Sequence, residues 1–244
     1  MRTVLLAVAI LTALAGQLFV GDAWAGGLAG ADMPPPVRWT GCHVGGHAGV
    51  AWGNSDKWIP RTPGGAFEGV SLGGHGVDGF IGGVQAGCDY QLQNGVVLGA
   101  GGDYGWTQAD GTHPSTRETG VFYHSETQAL ASLTGRLGYA FDSVLVYVEG
   151  GPAWERVDYS AATTQIGTAY RASDTREGWT VGAGGEYAFS ERVTAFVEYA
   201  YYDFGTDRIT LDPQYTFLPT AFVDIEDTAN VIRAGVNLRF GWGR

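Results

Sequence analysis

The sequence predicts an all-β fold, an eight-stranded antiparallel transmembrane β-barrel with four long extracellular loops and short periplasmic turns. Three observations carry that prediction. Behind an apolar leader, eight aromatic- and glycine-rich segments alternate in polarity with a period of two. The linkers between them are alternately long and very short, and an even strand number with that asymmetry puts both termini on the short-turn, periplasmic side. Aromatic residues gather at both ends of the segments, where the two interfaces of a bilayer would lie.

Residues 1–25 read as a cleavable signal peptide. Arg2 is followed by an apolar run that reaches Val20, and Ala23-Trp24-Ala25 fits a small-x-small cleavage site, so processing is expected near Ala25. A retained anchor is the alternative, disfavoured by small-residue flanks and the lack of a stop-transfer pattern. Residues 26–38, with Pro34, Pro35 and Pro36, are expected to form an extended periplasmic arm. Residues 39–240 form the barrel and 241–244 a C-terminal extension. No charged or low-complexity linker divides 39–240, which argues for one domain. The net charge of −11 disfavours a nucleic-acid partner and favours solubility of the exposed parts.

The first segment, 40–53, sets Cys42, Val44, Ala48, Val50 and Trp52 against His43, Gly45, His47 and Gly49. The second, 80–90, sets Phe80, Val84, Ala86, Cys88 and Tyr90 against Gly83, Gln85, Gly87 and Asp89, and Asn94-Gly95 then gives a hairpin signal. The third, 96–107, opposes Val96, Leu98, Ala100, Tyr104 and Trp106 to Gly99, Gly101, Asp103 and Thr107. In the fourth, Ala129, Ala131, Leu133, Leu137, Tyr139 and Phe141 oppose Ser132, Thr134, Arg136 and Gly138, with Asp142-Ser143 as the next tight turn.

The fifth segment, 144–157, places Val144, Val146, Val148 and Trp154 opposite Tyr147, Glu149 and Glu155, with a bulge expected at Gly150-Gly151-Pro152. The sixth, 179–189, opposes Trp179, Val181, Ala183, Tyr187 and Phe189 to Thr180, Gly182, Gly184 and Glu186, and ends at Ser190-Glu191. The seventh, 193–204, offers Ala195, Val197, Tyr199 and Tyr201 against Phe196, Glu198 and Tyr202. The eighth, 230–240, offers Ile232, Ala234, Val236, Leu238 and Phe240 against Arg233, Asn237 and Arg239. Each reaches the roughly 9 to 11 residues that a tilted strand needs to cross a bilayer. The linkers near 54–79, 108–127, 158–178 and 205–228 read as the long loops.

The apolar face is expected to meet lipid. Trp52, Phe80, Trp106, Trp154, Trp179 and Tyr201 then mark the long-loop interface, and Tyr90, Phe141, Phe189 and Phe240 the short-turn interface. The competing explanation is the core of a soluble barrel or sandwich, which would not place aromatics in rings. Asp89, Asp103, Arg136, Glu149, Glu186, Glu198, Arg233 and Arg239 turn inward. An eight-stranded interior is just filled by its own side chains, so these charges are expected to form an internal salt-bridge network, against the alternative of a cation-preferring path. Glycines on the inward face leave room for the bulky residues of a narrow lumen.

Cys42 and Cys88 lie on the same face at matching distances from the first long loop, which predicts a cross-strand disulfide near the periplasmic rim. Chain entropy makes such a bridge worth on the order of 4 kcal/mol. His43 and His47 are four apart on a strand, about 13 Å, too far to chelate one ion. The string Gly74-x-Gly76-x-x-Gly79 lacks the strand-before, helix-after context of a dinucleotide fingerprint and reads as loop composition. His124-Ser125 is the one nucleophile-and-base neighbour pair in a loop, and adjacent residues of an extended chain point apart. The acidic stretch 207–227 reads as a solvated loop, with divalent-cation capture as its alternative. No catalytic, cofactor or metal residues are therefore expected, and no enzyme activity.

Six strings also carry a family resemblance: Trp39-Thr40-Gly41-Cys42-His43-Val44-Gly45-Gly46, Phe80-Ile81-Gly82-Gly83-Val84-Gln85-Ala86-Gly87, Gly135-Arg136-Leu137-Gly138-Tyr139-Ala140, Gly178-Trp179-Thr180-Val181-Gly182-Ala183-Gly184, Glu198-Tyr199-Ala200-Tyr201-Tyr202-Asp203-Phe204-Gly205 and Arg233-Ala234-Gly235-Val236-Asn237. In this order and spacing they resemble the small outer-membrane β-barrel family of alphaproteobacteria, the porin family or outer-membrane immunogenic protein type. The resemblance implies an eight-stranded barrel in the outer membrane of a Gram-negative bacterium, antigenic loops, a contribution to envelope integrity and no catalytic residues. Members commonly end on an aromatic that the barrel-assembly machinery reads, whereas here Gly241-Trp242-Gly243-Arg244 follow Phe240. Outer-membrane lipid, lipopolysaccharide and that machinery are the expected partners. A narrow diffusion porin is the runner-up function and a lipid-modifying enzyme the third.

Overall fold

The computed structural model describes residues 37–58, 71–114, 120–164, 167–215 and 221–241. The signal peptide, most of the proline-containing arm and Trp242 to Arg244 lie outside the described residues. Eight strands form a closed antiparallel barrel in sequence order: β1 (Gly41–Trp58), β2 (Ser71–Gln91), β3 (Val96–Pro114), β4 (Val121–Phe141), β5 (Val144–Thr163), β6 (Gly167–Ala188), β7 (Val193–Pro213) and β8 (Ala221–Phe240). β1 closes the ring on β8, from Cys42 opposite Phe240 to Trp58 opposite Asp224. The last strand therefore keeps its register to Phe240, which settles how the aromatic before the extension is placed.

Side-chain alternation decides the two faces. Between the two aromatic levels, Val44, Val84, Leu98, Leu133, Leu137, Val146, Val148, Val181, Val197, Ile232, Val236 and Leu238 all face outward and are exposed. A surface this apolar is stable only against lipid. The three tight turns have matching local chemistry. Gly95 takes a positive φ of 86° in the β2–β3 turn, and Asp142 a φ of 51° in the β4–β5 turn, conformations that glycine and Asp or Asn tolerate best. At the β6–β7 turn the Ser190 hydroxyl accepts the backbone N–H groups of Arg192 and Val193.

Three expectations are corrected. The strands run far past the upper aromatic level, so most of each predicted long loop is paired strand, and 59–70, 115–120, 164–166 and 214–220 remain as connections. The glycine string from Gly74 to Gly79 belongs to β2 and pairs with β1, as Gly74 does with Asp56. No bulge interrupts Gly150-Gly151-Pro152, where the ladder runs unbroken from Gly150 opposite Val181 to Pro152 opposite Trp179. Register shifts fall elsewhere, among them between Trp106 and Ala109, Thr127 and Ala129, and Asp203 and Thr206. At the second of these Ala129 keeps the outward face of its register partners Trp106 and Arg156 and is nevertheless buried.

In the projecting part the polarity of the two faces is reversed. Above the upper aromatics, Val157, Tyr159 and Ala161 of β5 face inward and Arg156, Asp158 and Ser160 outward. On β8, Val223 and Ile225 face inward while Asp224 and Glu226 do not. The apolar phase has inverted. Outside is now water, so the hydrophobic residues fill the interior and the polar ones face solvent.

Candidate functional site: a stratified lumen

The lumen is built from inward side chains in layers. At the periplasmic end, Trp39 is fully buried with Val37, Val97, Leu145, Tyr147 and Ala188. Its backbone N–H donates to Gln91 Oε1 at 2.9 Å, and its indole N–H to the Asp142 carbonyl at 3.4 Å. The residue is thus tied to both the β2 end and the β4–β5 turn. Val37, at the end of the expected arm, and Trp39, the first residue of the expected barrel, both lie in this cluster.

Above this plug lies a polar core containing all eight charged residues named from the sequence. Arg239 approaches Asp89 at 3.3 Å and Glu186 at 3.7 Å. Arg136 sits 3.3 Å from Glu149 and 3.4 Å from Glu186, with its guanidinium 4.0 Å from the centre of the Tyr147 ring. Arg233 meets Glu198 at 2.6 Å, Asp103 at 2.8 Å and Glu149 at 3.7 Å. Because each arginine bridges two or three carboxylates, no ion is left alone in a dry interior, where it would cost several kcal/mol.

Several members of this network carry no charge signal; all but Thr194 were expected on the inward face, but none as part of the network. Tyr147 donates to Glu198 Oε2 at 2.8 Å, Asn237 to Glu186 Oε1 at 3.1 Å, and Gln85 to Asn237 Oδ1 at 2.8 Å. His47 Nδ1 lies 2.7 Å from Gln85 Oε1, and His43 Nδ1 3.5 Å from Asp89 Oδ2. Thr194 and Ser132 donate to Glu186 and Asp103. The legible signal was parity opposite glycine: Tyr147 faces Gly184, and His47 faces Gly83, across their ladders. A Cβ on Gly184 would stand 2.6 Å from the Tyr147 hydroxyl, and one on Gly83 2.6 Å from His47 Nε2, so each large side chain occupies space that its partner must leave empty.

An apolar layer covers the polar core. Ala51, Ile81, Leu130, Ala153, Ala200, Tyr202, Phe204 and Val231 are buried one level higher, with the Tyr202 and Phe204 rings stacked at 6.2 Å. A second apolar cluster, Val157, Tyr159, Ile209, Val223 and Ile225, lies farther up. The polar core is therefore enclosed by hydrophobic layers at both ends. Within it lies a cavity of about 30 Å³ lined in part by Asp103, Arg136, Glu149 and Arg233, water-sized rather than a channel.

The remaining named residues are placed as follows. Cys42 and Cys88 are direct register partners and form a disulfide on the outer face near the periplasmic rim. Phe80, Trp106 and Trp179 are exposed at the upper level and Tyr90, Phe141, Phe189 and Phe240 at the lower, with Trp52, Trp154 and Tyr201 half-buried. Edge-to-face neighbours reinforce both levels, Tyr104 with Trp106 at 5.0 Å above and Tyr187 with Phe189 at 5.0 Å below. His124 bonds Thr112, whereas Ser125 is buried on the opposite face of β4, so the two do not cooperate. Among the described residues, no three His, Cys, Asp or Glu side chains gather as metal ligands.

Comparison with known proteins gives a consistent picture. A family model described as outer membrane protein beta-barrel domain matches residues 4–240. The 31 kDa outer-membrane immunogenic protein of Brucella melitensis biotype 1 is 33% identical over 214 residues, 83% of this chain and 84% of that protein. The 22 kDa outer membrane protein of Rhizobium leguminosarum bv. viciae is 31% identical over 165 residues, covering 63% and 72%. Among solved structures, the outer membrane protease OmpT from Escherichia coli aligns with a TM-score of 0.53 at 10% identity over 82% of this chain and 97% of that one, a likeness of fold alone.

Proposed function

The chain belongs to the outer membrane protein beta-barrel domain family, and from that premise we propose that it is a non-enzymatic barrel with a closed lumen that supports envelope structure and presents its projecting strands at the cell surface. Its place is the outer membrane of a Gram-negative bacterium. The belt between the two aromatic levels is the membrane-spanning part, with Trp52, Phe80, Trp106, Trp154, Trp179 and Tyr201 at the outer interface and Tyr90, Phe141, Phe189 and Phe240 at the inner one. Lipopolysaccharide surrounds the outer half, and the barrel-assembly machinery reads the end of β8. The strands above the belt stand in water and act as the exposed antigen, a reading supported by the name of the Brucella melitensis relative, an outer-membrane immunogenic protein.

The observation that carries this reading is the enclosure of the charged core between the Trp39 plug and the apolar layer around Leu130 and Tyr202. A solute or hydrated ion would have to displace both. The test is single-channel recording of the mature protein in planar bilayers, after its gel mobility without boiling shows a folded barrel. A silent bilayer is expected. Discrete, reproducible steps would overturn the closed lumen and favour the second reading, a narrow porin. One feature of the core favours that alternative: its carboxylates, Asp89, Asp103, Glu149, Glu186 and Glu198, outnumber Arg136, Arg233 and Arg239. Any steps should then show cation preference.

A further inference from the structure

A second polar compartment lies above the membrane belt, between the apolar layer around Leu130 and the cluster around Val157 and Ile225. Arg176 of β6 is its centre and is only 1% exposed. Its guanidinium donates to the carbonyls of Phe204, Gly205 and Ile225 at 3.3, 2.9 and 3.0 Å, pairs with Asp227, and reaches the half-exposed Asp207 at 3.5 Å. All three nitrogens of the guanidinium are engaged. Asp227 Oδ2 takes both Arg176 and the Tyr159 hydroxyl.

Glu155 stands in the same compartment, 5% exposed, beside Asp227, which is 6% exposed. Thr127 donates to Glu155 Oε1 at 3.0 Å. The other oxygen of each acid, Glu155 Oε2 and Asp227 Oδ1, is buried with no hydrogen-bond partner among the described residues. Both acids line one cavity of about 30 Å³ together with Ser55, Thr107, Ser125 and Thr127. Arg176 neutralises one of the two carboxylates, so one negative charge stays uncompensated between two hydrophobic layers. Such a charge is far too costly to remain bare.

We propose that this cavity binds a single sodium-class monovalent cation between Glu155 Oε2 and Asp227 Oδ1, with hydroxyl oxygens completing its shell. The donor set is all hard oxygen, without the nitrogen or sulfur that transition metals favour. Calcium is a poor fit, because it takes six to eight oxygens and often a bidentate carboxylate. Here each acid has only one oxygen to give, and a second positive charge would exceed what the compartment lacks. The site ties β5 to β8 across the projecting barrel, so its occupancy is a stability term for the surface-exposed part and is independent of whether the lumen conducts.

The test is heat unfolding of the full mature barrel in lipid vesicles, read by gel mobility, in sodium chloride and in N-methylglucamine chloride of equal ionic strength at pH 8. The organic cation is too large for the cavity. Sodium at ten times its dissociation constant shifts the folded-to-unfolded ratio about elevenfold, which raises the midpoint by about 3–6 °C for a chain of this size. Glu155→Gln keeps the shape and should abolish the sodium-specific shift. Should that variant fail to fold, crystals of the unaltered protein soaked in thallium give the same decision, since an anomalous peak between Glu155 and Asp227 is expected. Equal midpoints in the two salts, a sodium shift that survives in Glu155→Gln, or no thallium peak would each overturn the proposal. A midpoint indifferent to sodium but falling as pH rises would give the compensating charge to a proton instead.

Discussion

Arg239 closes the barrel over Trp39. Its guanidinium carbon lies 4.9 Å from the indole ring centre, and the same group donates to the Trp39 carbonyl. One residue from the end of β8 thus clamps the segment that precedes β1, from opposite ends of the barrel sequence. The arrangement combines cation–π attraction with a charge-assisted hydrogen bond, in a site dry enough to strengthen both.

Trp39→Ala should therefore unplug the periplasmic mouth. The lost packing predicts destabilisation of about 3–5 kcal/mol, measured by urea unfolding in lipid vesicles. Trp39→Phe keeps the ring and should recover most of it. Negligible losses in both variants would show that the plug is held by its backbone bonds and not by the indole.

Arg233 is the crossing point of the charged core, with Asp103, Glu149 and Glu198 all within 3.7 Å. Arg233→Gln should cost about 3–5 kcal/mol, because carboxylates remain buried without their cation. Adding Glu198→Gln to that variant should restore part of the loss. A double-mutant cycle measures the coupling, and strictly additive losses would remove Arg233–Glu198 from the account.

The extent of the membrane belt is also measurable. Val148 faces outward midway between the aromatic levels and is 53% exposed. Val148→Arg should cost about 2–4 kcal/mol at the bilayer midplane. Thr210→Arg, on an exposed position of the projecting β7, should change stability by no more than about 0.5 kcal/mol. Comparable penalties at both sites would place the projecting strands in lipid.

With no alkali cation present, the upper compartment should respond to pH. Burial, then the neighbouring Asp227 carboxylate, pushes Glu155 up to about 8, opposed by the Thr127 hydroxyl and Arg176. Its folded-state value lies above the ordinary carboxylate value near 4.5, so the folded state holds the proton where the unfolded chain has lost it. The resulting contribution to stability is complete below about pH 4.5 and disappears as pH rises through about 8. Unfolding midpoints taken across that window in N-methylglucamine buffer should fall, and Glu155→Gln should flatten the slope. A slope unchanged in the variant would assign it to another group.

Much of this architecture was readable because a period of two with an apolar outer face survives in every strand. Val144, Val146 and Val148 against Tyr147 and Glu149 fix the face of β5 without any tertiary information. The projecting strands were not readable by the same rule. Where β5 passes Trp154, Val157 and Tyr159 take the inward phase, and a search for outward apolar residues ends there and reports a loop. The period itself never stops. Following it through its inversion finds the strands, and with them the inward position of Asp227, to join Glu155, already on the face opposite Trp154.

The sequence by itself determined the strand number, the order of the ladder, the inward direction of the charges and the Cys42 to Cys88 bridge, since all of these depend on parity and spacing along the chain. Tertiary structure alone decided what those inward residues meet. Whether Arg136 bridges Glu149 to Glu186, whether Trp39 fills the mouth and whether Glu155 shares a cavity with Asp227 depend on the tilt and stagger of a closed ring. Closure brings residues from nonadjacent strands to one level of the lumen, a relationship that no local pattern encodes.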